Sequence, residues 1–379
     1  MSGPFLDIDQ VIADPDMKII ICCGSGGVGK TTTSAAVAVR AAEAGRKVVV
    51  LTIDPARRLA QSLGVVELDN TPRPVRGLGP DGQDGLDLSA GGSLDAMMLD
   101  MKRTFDDVVA AHSTPEKADA ILHNPFYEAL SSSFAGTQEY MAMERLGQLH
   151  EQGHWDLIVV DTPPARSALD FLDAPEHLSS LLDGRFIRLL LAPARGPLRL
   201  MSVGFNLVSA AMNKILGSQI ITDVQTFVTA CEALFGGFRA RATVTFELLS
   251  SRQTTFLVVA TPQPDALREA AYFVDRLSEE RMPLSGVVVN RVHKSALDVS
   301  AERALSLAED LDPVAVPLEV EALRRHADLS RLIEAETRLL DRFTASRPTV
   351  AQSRVLSLPT DVTDLSSLRR IGTLLADQD

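Results

Sequence analysis

One contiguous stretch constrains this chain more than any other. Lys18-Ile19-Ile20-Ile21-Cys22-Cys23 is an unbroken apolar run, and Gly24-Ser25-Gly26-Gly27-Val28-Gly29-Lys30-Thr31 follows it. An Ala/Val-rich segment then extends from Thr31 to Ala44 and stops at Gly45. A continuous apolar run, rather than an alternating one, predicts a strand buried on both faces. The Ala/Val segment predicts a helix, with Gly45 as its C-terminal signal. Between a strand and a helix, the pattern G-x-x-x-x-G-K-[ST] predicts a phosphate-binding loop. Glycines allow backbone N–H groups to wrap phosphate oxygens, and the helix N-terminus adds partial positive charge. Gly24, Ser25, Gly26, Gly27, Val28, Gly29, Lys30, Thr31 and Thr32 are therefore the predicted nucleotide contacts. Lys30 is expected to reach the β/γ-phosphates, and the Thr31 hydroxyl to coordinate Mg²⁺.

Further apolar runs fix the class of the fold. Lys47 to Thr52, Leu157 to Val160, Phe256 to Ala260, Val287 to Val289 and Val355 to Leu358 all read as strands, and helix-length segments separate most of them. Such alternation predicts an α/β fold, a phosphate-loop NTPase with a mainly parallel sheet and helices on both faces. Residues 71–93 are rich in Gly, Pro and Asp and read as a surface loop or a mobile insertion. The expected division is 1–174 and 252–379 as two parts of one ATPase core, with a helical insertion subdomain at 175–251.

Within that insertion, Glu176 to Thr222 holds five basic residues against two acidic ones, a local +3 in a chain whose net charge is −13. Ser202, Asn206, Ser209 and Asn213 form a polar stripe at helical spacing, with Met201, Phe205, Val208, Met212 and Ile215 around it. Phe227, Val228, Cys231, Leu234 and Phe235 form a second apolar face. Both faces suit ordinary core or dimer packing. They also suit a groove for a hydrophobic client or for a membrane surface.

Two carboxylates stand at strand ends. Asp161, in Asp161-Thr162-Pro163-Pro164, follows the 157–160 run, where an acid beside a phosphate loop can hold hydrated Mg²⁺. Asp54, in Thr52-Ile53-Asp54-Pro55-Ala56, could orient or deprotonate an attacking water, or could simply cap a turn before Pro55. The acidic balance, 37 basic against 50 acidic residues, argues against a general nucleic-acid binder. Three cysteines, two of them adjacent, argue against a disulfide framework. With no basic, apolar leader at the N-terminus, a cytoplasmic protein is expected, with any visit to a membrane surface transient.

These motifs resemble those of the ArsA/Get-type ATPases, a branch of the deviant phosphate-loop group. The resemblance is carried by Gly26-Gly27-Val28-Gly29-Lys30-Thr31-Thr32, Thr52-Ile53-Asp54-Pro55-Ala56 and Asp161-Thr162-Pro163-Pro164. Weaker matches are Thr261-Pro262-Gln263-Pro264, Val289-Asn290-Arg291 and Leu358-Pro359-Thr360-Asp361-Val362, all in family order. More narrowly, the chain is similar to a mycobacterial and actinobacterial Get-like subgroup in which a paralogous ATPase subunit is expected. The resemblance implies an ATP- and Mg²⁺-dependent dimeric ATPase whose nucleotide state controls partner or client binding. It implies that Asp54 positions water for catalysis alongside Lys30, that Thr31 and Asp161 hold the metal, and that Asn290 bonds the adenine edge. Pro359, Asp361 and Val362 are implied to lie over the base.

The chain departs from that pattern at three places. Ser25 stands where deviant phosphate loops carry a second lysine that reaches the partner's nucleotide. Arg57 follows Ala56 where the family usually has His, and Ala165-Arg166-Ser167 replaces the usual continuation after Asp161. No C-x-x-C zinc clasp is present, and a three-thiolate arsenite site is not expected. Ser25 favours pairing with a lysine-bearing paralogue over a homodimer, with a low-turnover regulatory subunit as the alternative.

Overall fold

The computed structural model describes residues 3–53, 58–65, 68–75, 85–124, 127, 137–163, 240–241 and 243–377. In chain order its elements begin with α1 (Ile8–Ala13), β1 (Ile19–Cys23), α2 (Lys30–Glu43), β2 (Lys47–Thr52), α3 (Arg58–Ser62), β3 (Arg73–Pro74) and β4 (Ser93–Met98). Next come α4 (Met101–His112), α5 (Pro115–Leu122), α6 (Thr137–Gln152), β5 (Leu157–Asp161), β6 (Thr254–Ala260) and α7 (Pro264–Glu279). The chain continues through β7 (Leu284–Val292), α8 (Ala301–Asp310), α9 (Pro317–Ser346), β8 (Gln352–Leu356) and α10 (Leu365–Ala376).

The eight strands form one sheet in the order β3-β4-β2-β5-β1-β6-β7-β8, parallel throughout except for the β3–β4 pair. β1, β5 and β6 are buried at every position, as the continuous apolar runs require. Ile20, Cys22, Val48, Val50, Val159, Leu257 and Val259 share a cluster with the buried side chains of α2 and α10. Their opposite-parity neighbours, Ile19, Ile21, Val49, Leu51, Ile158, Phe256 and Val258, are equally buried, so the second face is covered too. There α7 packs on β6 and β7. Parallel pairing brings the C-terminal ends of β1, β2 and β5 to one edge, and Thr52 lies level with Asp161.

The chain divides into two compact units: Met1–Met98 with Gly153–Ala168 and Leu249–Asp379, and Leu99–Gln152 with Leu169–Leu248. The whole sheet belongs to the first unit. In the second, α4 packs on α5 and α6. Buried Glu144 accepts from Arg241 Nε at 2.9 and 3.0 Å there. The boundaries differ from the sequence division, which kept 99–152 with the first part of the core. The long helical crossover between β4 and β5 packs on itself, a property its local sequence does not announce. A second difference concerns residues 71–93, read as loop: Arg73 and Pro74 pair antiparallel with β4, a strand the sequence reading missed. The amphipathic stripes at 201–216 and 227–235 lie outside the described residues.

Candidate nucleotide site

The phosphate loop springs from the end of β1, and two of its glycines stand where there is no room for a side chain. Gly24 has φ 147°, and a Cβ added to it would fall 2.1 Å from the Val259 carbonyl oxygen. Gly29, the N-cap of α2, has φ 96°, and its Cβ would lie 2.2 Å from Asn290 Nδ2. Both positions have a backbone that L side chains rarely adopt; the neighbour of Gly24 is main chain that cannot retreat, and that of Gly29 is a hydrogen-bonded side chain. The loop therefore bends tightly between β6 on one side and β7 on the other. No side chain caps α2, so its first N–H groups remain available at the helix start.

Lys30 is buried, and its ammonium donates to the carbonyls of Gly24 at 3.0 Å and Ser25 at 2.9 Å. Beside it, Asp161 is fully buried, and its Oδ2 accepts from Thr31 Oγ1 at 2.8 Å and from Thr52 Oγ1 at 2.9 Å. Asp161 is fixed from both neighbouring strands. Thr162 Oγ1 donates to the Cys22 carbonyl at 2.9 Å, and Ile53 N–H donates to the Asp161 carbonyl at 3.0 Å. Thr52 is a site residue that sequence reasoning missed; only the strand register puts it level with Asp161. Cys22 lies beneath, its thiol pushed up to about 12 by burial, and is chemically inert.

A cleft of about 1060 Å³ opens over this floor, within the first unit. One wall is Gly26, Gly27, Gly29, Lys30, Thr31 and Thr32. Asn290, Arg291, Leu358, Thr360, Asp361 and Val362 line the other. Asp361 and Val362 thus join the site, whereas Pro359 is exposed and does not line the cleft. Ser25 and Val28 border a smaller cleft of about 470 Å³ on the far side of the loop tip. Asn290 spends its side chain on structure in this conformation: Nδ2 donates to the Val28 carbonyl at 3.0 Å, and Oδ1 accepts the Arg291 N–H at 3.0 Å. Asp54, Arg57 and Arg166 lie outside the described residues. No cluster of three or more His, Cys, Asp or Glu residues suited to a metal occurs among the described residues. Nor is any described helix long and apolar enough to cross a membrane.

The donor set fits a magnesium nucleotide. Mg²⁺ takes few protein ligands and prefers hard oxygens, and Thr31 Oγ1 with Asp161 offers a hydroxyl and a carboxylate within 2.8 Å of one another. With no side chain capping α2, the main-chain N–H groups at its start can meet a phosphate.

Comparisons with known proteins point to one family. ATPase GET3 of Malassezia globosa is 24% identical over 348 residues, covering 86% of this chain and 93% of that protein. An ATPase ASNA1 homolog of Cryptosporidium parvum is 28% identical over 279 residues, covering 73% and 65% respectively. ATPase ASNA1 homolog 2 of Paramecium tetraurelia is 24% identical over 291 residues, covering 75% and 79%. The model of the anion-transporting ATPase family, ArsA_ATPase, matches residues 17–303, a span from just before β1 through Asn290 to the start of α8. By that match the chain, with its phosphate loop and its acid at the end of β5, belongs to the anion-transporting ATPase family.

Proposed function

We propose that this chain binds ATP with Mg²⁺ and hydrolyses it, and that its nucleotide state governs a dimer and its partner contacts. The observation that carries the reading is the contact of Thr31 and Asp161 at the foot of a glycine cradle that also holds Lys30. Lys30 and the loop N–H groups would bind the phosphates, and Thr31 with Asp161 would hold the metal. Bound Mg²⁺ supplies neutralising charge at the phosphates. The Thr31 hydroxyl can donate its proton to Asp161 while presenting a lone pair to a cation, so the pair needs no rearrangement. Thr52 keeps the Asp161 carboxylate aimed, and burial excludes bulk water from its floor. Asp54 would orient the attacking water. Asn290 would reach the adenine edge with its second amide hydrogen, and Asp361 and Val362 would flank the base.

Isothermal titration of the full chain with MgATP tests the reading. Lys30→Ala should abolish tight binding, and unchanged affinity would refute it. Asp54→Asn should keep binding and lower hydrolysis about 10²-fold or more, since it removes a water-orienting carboxylate but no phosphate donor. Equal turnover in mutant and parent removes Asp54 from the mechanism.

Ser25 favours a second reading of the assembly. It stands at the loop tip, half-buried, and its hydroxyl lacks the charge and reach of a lysine. A heterodimer with a lysine-bearing paralogue would complete this chain's site, while this chain could serve as a low-turnover regulatory subunit. Capture of a hydrophobic client by the 201–216 face is the remaining proposal. A pull-down with two of Met201, Phe205, Val208 and Met212 changed to Asp, read beside a thermal melt, decides between groove and core.

A further inference from the structure

Strand β7 departs from its pairing with β8 at one point. Val289 pairs with Arg354 and Val292 with Leu356, so three steps on β7 face two on β8 and one residue is extra. Asn290 and Arg291 occupy this bulge. Arg291 has φ 60°, and among the described residues only Arg281 shares a positive φ without being glycine. Arg281 closes the C-terminus of α7, where its N–H bonds the Ser278 carbonyl and a left-handed residue is expected. Arg291 ends no helix. Its backbone is held by Asn290 Oδ1, the same side chain that grips the Val28 carbonyl of the phosphate loop. Bulges beside sites commonly re-aim a side chain, and a residue kept in a costly conformation asks for a reason.

The reason lies in what Arg291 borders. It is exposed and lines both clefts, and among the described residues Gly26 and Gly27, at the tip of the phosphate loop, are the others common to both. Among the described residues its guanidinium makes no hydrogen bond or ion pair. Asp265, an acid of the smaller cleft, pairs with Arg268 instead. A planar guanidinium beside an anion-binding loop, with its donors uncommitted, suits bidentate recognition of phosphate. We propose that Arg291 is a nucleotide-binding residue that contacts the polyphosphate from outside Gly26 and Gly27, across the loop from Lys30. This rests on the MgATP reading above. It gives the chain a second phosphate cation in cis, in a loop whose position 25 supplies none.

The test is titration of the full chain, as parent, Arg291→Asn, Arg291→Lys and Lys30→Ala, with MgATP and with AMP, which lacks the outer phosphates. Asparagine tolerates a positive φ and removes the charge, so that variant separates lost charge from lost fold; its melting temperature should match or exceed the parent's. Arg291→Asn should weaken MgATP about 10- to 100-fold, leave AMP within about twofold, and be partly rescued in Arg291→Lys. Parent affinity for MgATP in Arg291→Asn overturns the proposal, as does an equal loss for AMP. If Lys30→Ala loses binding while Arg291→Asn does not, only this inference falls. If the parent itself does not bind MgATP, the nucleotide reading and the inference fall together.

Discussion

Asn290 donates its side-chain amide to the Val28 carbonyl at 3.0 Å, and the same nitrogen lies 2.2 Å from the point where a Cβ on Gly29 would stand. The two residues define each other, since the amide can close on the loop only while position 29 has no side chain. Gly29→Ala should therefore displace Asn290, lower the melting temperature and weaken MgATP binding. Asn290→Ala removes the obstruction, so the double variant should regain part of the loss, leaving the strain of φ 96°. A double-mutant cycle by calorimetry checks this; strict additivity would mean that the contact is irrelevant.

Thr52, like Thr31, supplies a hydroxyl donor to a fully buried carboxylate. Thr52→Val keeps the shape and removes the donor, so destabilisation of about 1–3 kcal/mol is expected. Urea denaturation measures it. A change below about 0.5 kcal/mol, within the range of ordinary surface substitutions, would show that Asp161 does not depend on Thr52.

A homodimer of this chain would carry Ser25 at both loop tips. Loss of one preorganised charge-stabilising contact commonly costs about 10²–10³ in rate, so the chain alone should hydrolyse ATP slowly. Adding a lysine-bearing paralogue, or introducing Ser25→Lys, should raise turnover. Fast turnover by a verified homodimer, unchanged in Ser25→Lys, would exclude the asymmetric pair.

Burial raises the Cys22 thiol from 9.0 to about 12 and raises Cys23 as well. Both thiols should resist iodoacetamide at pH 8.5 in the native chain and react in denaturant, as read by peptide mass spectrometry. The sign of the linkage follows from the raised value. The folded state holds its protons where the unfolded chain releases them, so this stabilisation is complete below pH 9.0 and is lost as pH rises toward about 12. Native labelling at the denatured rate would contradict the burial.

What the sequence made legible was short in range. The phosphate loop could be read because strand, glycines, lysine and helix are contiguous, and Asp161 because a strand end is visible from its apolar run. Ser93 to Met98 escaped because Asp95 breaks what would otherwise be a continuous apolar run and Gly91-Gly92 precedes it. The Thr52–Asp161 and Asn290–Val28 bonds join residues 109 and 262 positions apart, a relation that only the strand order creates. The left-handed Arg291 could not be foreseen, because arginine carries no local preference for a positive φ.

Lys30 has a further consequence through the two carbonyls it already holds. Wherever phosphate takes a donor that now serves Gly24 or Ser25, nucleotide capture is an exchange rather than an addition. The loop carries its own competitor, tethered within bonding distance and never diluted. That rival is a neutral dipole in a buried corner, which salt scarcely screens, whereas an approaching polyphosphate is screened throughout its path. Ionic strength therefore acts on one side of the exchange only, and affinity at this loop should decline as salt rises.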